Sequence, residues 1–169
     1  MDSVERLQSL QNATLEAIAR GEPLAAIMTS LCLRVEAIAP EVVCSVVAVD
    51  AERRLQPLAA PSLPASYAAA LRGVPCGPRV GSCGTAIHRG CAVEVTDIAS
   101  DPLWQGHEHL VLPLGLCACW SSPIKARDGR VIGSFAFYYR RKRGPDALER
   151  RIVATCVHLC ALAIEPDEV

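Results

Sequence analysis

Two groups of side chains in this sequence have the types and spacing to do chemistry: nine cysteines, and a run of Asp, Trp and His residues between Asp97 and His109. A thiol can act as a nucleophile, a redox centre or a soft metal ligand, but only when it is deprotonated and correctly placed. Cys117 with Cys119, Cys156 with Cys160, and His107 with His109 each offer two ligands, and none has the paired spacing of a structural zinc site. Cys83 is the thiol best placed for reactivity. It lies in Gly81-Ser-Cys-Gly-Thr-Ala86 at the start of a short helical turn, where free N–H groups favour a thiolate, and Cys76 sits seven residues upstream in a Gly- and Pro-rich loop. The two form a thiol redox pair if the loop brings their Cα atoms within about 7 Å. The alternative is that Cys83, like the cysteines inside apolar runs, is a small buried hydrophobe.

The second group points to binding. Gly84 and Thr85 continue the loop after Cys83, and Asp97, Asp101, Trp104, His107 and His109 lie in a long crossover able to reach a ligand held over a sheet. Asp97 and Asp101 also suit helix capping and chain reversal. An indole supplies a flat apolar wall and one donor, so Trp104 and Trp120 are pocket candidates, with core packing as the other reading. Around Trp120, alternation puts Cys117, Cys119 and Ser121 on one side of a strand and Ala118, Trp120 and Ser122 on the other; periodicity leaves open which side faces a pocket. No phosphate-binding Lys loop, serine elbow or carboxylate pair is present, so a catalytic set is not expected.

The rest of the chain limits the partners. Seventeen basic and eighteen acidic residues give a net charge of −1, far from the basic balance of a nucleic-acid-binding domain. Apolar runs are interrupted within about ten residues, short of the ~20 that span a membrane. The polar start Met1-Asp-Ser-Val-Glu-Arg6 is unlike a signal peptide, which together with an odd cysteine count implies reduced thiols and a cytoplasmic location. A chain of 169 residues suits one domain, 1–169.

The elements that must position these groups follow from periodicity. Residues 3–20 and 24–39 carry apolar residues at helical spacing, closed by Gly21 and Pro40. Val42–Val49 reads as a buried strand, and Leu55–Ala60 as an edge or bulged strand because Pro57 lacks an N–H. A short helix follows Pro64. Next come the Gly/Pro loop, a short helix closed by Gly90, a strand at 92–95 and a helical segment opened by Asp101-Pro102. Leu116–Ile124 and Arg130–Tyr139 form a hairpin about Asp128-Gly129, the Arg140–Arg143 cluster forms a solvated turn, and a last helix opens at Gly144-Pro145. This order gives an α+β fold with an antiparallel sheet, and the crossover is the expected pocket.

At Gly81-Ser-Cys-Gly-Thr-Ala86, Val95-Thr-Asp-Ile98, Asp101-Pro-Leu-Trp104, Ala118-Cys-Trp-Ser-Ser-Pro-Ile124 and Val131-Ile-Gly-Ser-Phe-Ala136, the chain resembles GAF domains. It is most similar to those of bacterial sensor histidine kinases and cyclic-di-GMP enzymes, over roughly 10–165. The resemblance implies a PAS-like fold with a six-stranded antiparallel sheet, terminal helices on one face and a small-molecule pocket on the other. It also implies a regulatory sensor that acts through an output domain or partner protein; the identity of the ligand or cofactor is not given. A homodimer through the first and last helices is expected, using Leu7, Leu10, Leu159 and Leu162. The enzymatic alternative is the free methionine-(R)-sulfoxide reductase, a GAF domain with catalytic thiolates. Cys76 and Cys83 match two of its cysteines, but this chain has no Cys between Cys91 and Cys117, where that enzyme carries another.

Overall fold

A computed structural model of the chain describes residues 2–165. Helix α1 (Ser3–Ala19) starts where the Asp2 carboxylate accepts the Glu5 N–H and ends at Gly21, whose φ of +69° only glycine adopts easily. Helix α2 (Leu24–Ile38) follows Pro23, and Ile27, Met28, Leu31, Cys32, Val35 and Ile38 form its buried stripe. Strands β1 (Val42–Val49) and β2 (Leu55–Ala59) pair antiparallel, with a bulge at Val46/Val47 opposite the stretch that holds Pro57. Helices α3 (Ala65–Leu71) and α4 (Cys83–Arg89) and strand β3 (Val93–Val95) lead into the crossover. There three single-turn 3-10 helices occupy Pro102–Trp104, Glu108–Leu110 and Leu112–Leu114. The β4 (Ala118–Lys125) and β5 (Val131–Tyr139) hairpin and helix α5 (Ala147–Ile164) complete the domain.

The sheet has five strands in the order β2-β1-β5-β4-β3, all antiparallel, with β2 at an edge as Pro57 requires. This corrects the expected six strands. The segment beyond β2 does accept and donate backbone bonds (Leu55 N–H to Val74 O, Cys76 N–H to Arg53 O), but it pairs only as the isolated bridge Arg54–Pro75. Pro75 and Pro78 have no N–H to extend that ladder. In the middle of the sheet, a Cβ on Gly133 would stand 2.5 Å from the Val47 carbonyl, so glycine is what lets β5 approach β1.

Alternation divides the two cores. Cys44, Val46, Ala118, Trp120, Ile124, Phe135, Phe137 and Tyr139 point toward α1, α2 and α5, while Val43, Cys119, Ala136 and Tyr138 point toward α3, α4 and the crossover. Four cysteines, Cys32, Cys44, Cys156 and Cys160, are buried in the helix-side core; for Cys44, Cys156 and Cys160 burial pushes the thiol up, as packing residues should behave.

Three expectations change here. Leu7, Leu10 and Leu159 are buried within the chain's own core, so they are not free to join a second copy; the large apolar side chains left exposed on α1 and α2 are Val4, Leu15 and Leu33. Helix α5 begins at Ala147 and not at Gly144, because Asp146 and Glu149 form a reciprocal capping box. The Arg140–Arg143 turn is not wholly solvated either. Arg143 is only 13% exposed, lies 4.4 Å over the Tyr139 ring and bonds Glu149 at 2.7 Å.

Candidate functional site

The Gly-rich motif forms one wall of a cavity of about 150 Å³ between the sheet, α3, α4 and the crossover. Its shape depends on two glycines. Gly81 has φ +59° and lies under the Trp104 ring, where a Cβ would come within 3.3 Å of the indole, and its N–H donates to Leu103 O. Gly84 packs on Val80 so closely that a Cβ would stand 2.6 Å from the Val80 Cβ. Thr85 ties the turn from inside: its hydroxyl donates to Gly81 O and accepts from Val80 N–H. The Gly84→Ala variant separates packing from propensity. Alanine favours a helix by about 1 kcal/mol, yet overpacking against Val80 should cost about 1–3 kcal/mol, so urea titration is expected to show a net loss of stability.

Cys83, Gly84, Trp104 and His109 line the cavity, as do Ser82, His107 and Tyr138. The Trp104 indole N–H donates to Ser82 Oγ at 2.9 Å and its ring meets Tyr138 edge-on at 6.2 Å. Behind Cys83, its sulfur lies 3.2 Å from Ser121 Oγ, and Cys119 Sγ lies 3.6 Å from the same hydroxyl. Tyr138 and Tyr67 share a hydrogen bond of 2.6 Å between their hydroxyls. Burial raises the Cys83, Cys119, Tyr67 and Tyr138 protons above their ordinary values, so this layer is neutral near pH 7. Two further buried hydroxyls lie on the same sheet face, Ser45 beside Tyr67 and Ser134 beside Cys83, without a hydrogen bond of good geometry among the described residues.

Several of the sequence candidates do not line this cavity: Thr85 braces the turn, Asp101 caps the Pro102–Trp104 turn, Cys119 and Ser121 sit in the layer behind Cys83, and Asp97 and Trp120 lie away from it. Asp97 bonds Ser100 and pairs with Lys142 at 3.4 Å; the Ser100 hydroxyl, then the Lys142 charge, hold its carboxyl below the usual range. Trp120 is on the opposite face of the sheet, edge-on to Phe137 at 6.0 Å and under the Arg150 guanidinium at 5.4 Å. Of the two sides of the 117–122 strand, Cys119 and Ser121 therefore belong to the pocket layer and Trp120 to the helix layer. Cys76 packs beside Val47, Leu55 and Ile87 in a third cluster, while Cys83 belongs with Tyr138 and Trp104. Tyr67, Ser82 and Tyr138 join the site through the fold, Tyr138 by its register with Cys119 directly across the β4–β5 ladder.

Among the described residues no group of three or more His, Cys, Asp or Glu is arranged to hold a metal ion, and no helix is long and apolar enough to cross a membrane.

A family model described as the GAF domain matches residues 21–165. The chain belongs to the GAF domain family. A relative with 35% identity over 162 residues is the methyl sulfide methyltransferase-associated sensor of Methanosarcina acetivorans; the match covers 95% of this GAF domain but only 16% of that longer protein. The GAF domain of a phosphoenolpyruvate-protein phosphotransferase from Coxiella burnetii has the same fold, with a TM-score of 0.77 at 15% identity over 97% of this chain and 95% of that one. So does the free methionine-R-sulfoxide reductase of Neisseria meningitidis, solved with its substrate, with a TM-score of 0.72 at 16% identity over 96% and 88% of the two chains. At these identities the two solved structures show the fold alone.

Proposed function

We propose that this GAF domain is a regulatory sensing module of signal transduction, binding a small molecule between the sheet and the 74–115 crossover and performing no chemistry on it. The observation that carries the reading is the half-open cavity, whose walls come from α3, α4, the crossover and β5 together. A ligand there touches elements far apart in sequence, so occupancy biases how they pack; that is the physical requirement of a sensor. The relative that is named a sensor is far longer than this chain. By analogy, an output domain or partner protein reads the state of the pocket.

The thiol enzyme is the reading to exclude by experiment. Cys83 has its proton raised by burial, which works against a nucleophilic thiolate, and residues 92–116 contain no cysteine. Incubation with free methionine-(R)-sulfoxide and dithiothreitol is expected to give no methionine above the protein-free rate. Turnover that disappears in Cys83→Ser would replace the sensing role with catalysis. Trp104→Phe keeps a ring on the wall and removes the indole bond to Ser82, which is made within the protein with or without a ligand. It is expected to cost about 1 kcal/mol of stability, as read by urea titration.

A further inference from the structure

The walls of the cavity narrow the ligand class, given the sensing role proposed above. At about 150 Å³, the space equals that of an engineered core cavity of ~150 Å³ that admits benzene. Pockets for drug-sized ligands run to roughly 300–1,000 Å³. One ring or a short branched chain fits within it, whereas a purine nucleotide, a bilin or a haem is larger than the space and would have to extend through its open side. The inner wall is apolar, formed by Leu55, Leu71 and Val80 with the Trp104 and Tyr138 rings.

The polar groups of the inner wall already have protein partners. Ser82 Oγ takes the Trp104 N–H, the Cys83 thiol meets Ser121, and the Tyr138 hydroxyl meets Tyr67. The lining side chains without a hydrogen bond among the described residues are His107, half-buried, and His109, exposed at the mouth. Each imidazole has an N–H donor, and both nitrogens donate when the ring is protonated, so the pair can serve an acceptor head group. Glu108, between them in sequence, does not line the cavity; backbone N–H groups, its own and that of Gly106 at 2.7 Å among them, and then the nearby His107 charge hold its carboxyl below the usual range, so it competes with an anionic ligand for His107.

We propose that the cavity takes a small monocarboxylate with an apolar body of about one ring, the ring against Trp104 and Tyr138 and the carboxylate accepting N–H bonds from His107 and His109. A carboxylate suits this site better than a neutral acceptor because its two oxygens can serve two donors and hydrogen bonds to a charged group are the stronger kind.

The test titrates the 169-residue chain with benzoate, with the near-isosteric neutral benzamide and with cyclic GMP, using calorimetry and the Trp104 indole N–H resonance. Benzoate is expected to bind about tenfold or more tighter than benzamide, and the double variant His107→Ala/His109→Ala is expected to lose that preference while keeping its melting temperature. Leu71→Trp, which fills the space, is expected to lose both aromatic probes. Equal affinity for benzoate and benzamide, or a preference that survives the double variant, overturns the head-group assignment. If cyclic GMP moves the Trp104 resonance and neither small probe does, the size assignment falls and the sensing pocket stands. If the Trp104 resonance ignores all three, and the same probes bind elsewhere, the pocket reading falls with the inference.

Discussion

Replacing Trp120 with Ala is expected to lower folding stability by about 3–5 kcal/mol, the usual cost of deleting a large buried aromatic, while ligand affinity changes by no more than about twofold, as for sites that share no partner. Both halves follow from which face of β4 the indole occupies. Trp120 is 6% exposed, fills the space between Phe137 and α5, and carries the Arg150 guanidinium, which also binds Glu94 at 2.7 Å. Its removal leaves a hole beneath α5 and loosens the link from α5 to β3. The cavity lies across the sheet and none of its walls comes from Trp120. Urea midpoints for the fold and calorimetric titration for the ligand read the two effects independently. A Trp120→Ala protein that folds normally but no longer binds would mean that the sheet face has been assigned the wrong way round.

Arg143→Met is expected to be comparably damaging, by about 3–5 kcal/mol, because it strands a buried charge. Glu149 is 3% exposed and its Oε1 receives the Arg143 guanidinium at 2.7 Å and the Tyr139 hydroxyl at 2.8 Å. Arg143 also reaches Glu41 at 3.3 Å, tying the start of α5 to the segment before β1. Methionine keeps much of the apolar stem and removes only the charge and its donors. The second variant decides the cause: Arg143→Met/Glu149→Gln removes the stranded charge and is expected to recover much of the loss in urea titration. If the single substitution costs under about 1 kcal/mol, the value of an exposed pair, the cluster is a solvated turn after all.

Arg143 shows where the sequence stops being legible. In a run of four basic residues, nothing local distinguishes the one that folds back over Tyr139 from Arg140, Arg141 and Lys142, which stay exposed. What decides it is a carboxylate six residues later whose own burial is a tertiary property. The helices and strands, by contrast, were readable because their signals are local: the α2 stripe, the β-branched β1 and the Pro57 edge all appear where periodicity and missing donors put them. The α5 boundary moved because Asp146-x-x-Glu149 caps more strongly than Gly144-Pro145 starts a helix.

The candidate site was half legible for the same reason. Cys83, Gly84 and Trp104 belong to motifs whose backbone demands show in the sequence, as the tight packing of Gly81 and Gly84 makes plain. Trp120 was not separable from Trp104 by residue type, since an indole suits a pocket wall and a core equally well. Alternation grouped Trp120 with Ala118 and Ser122 but carried no information on which side of the sheet the three terminal helices would cover. Asp97 likewise has the chemistry of a ligand contact, and only the folded chain brings Lys142 to within 3.4 Å of it.

A small-molecule pocket on the Trp104 face of the sheet can be watched directly, because the chain has two tryptophans, one on each face. Uniform ¹⁵N labelling gives each indole N–H its own resonance, assigned by Trp104→Phe and Trp120→Phe. Titration with benzoate, extended to a panel of small carboxylic acids and cyclic nucleotides, is expected to shift the Trp104 signal in proportion to occupancy and leave the Trp120 signal in place. A binding ligand that moves Trp120 while Trp104 stays fixed would contradict the account.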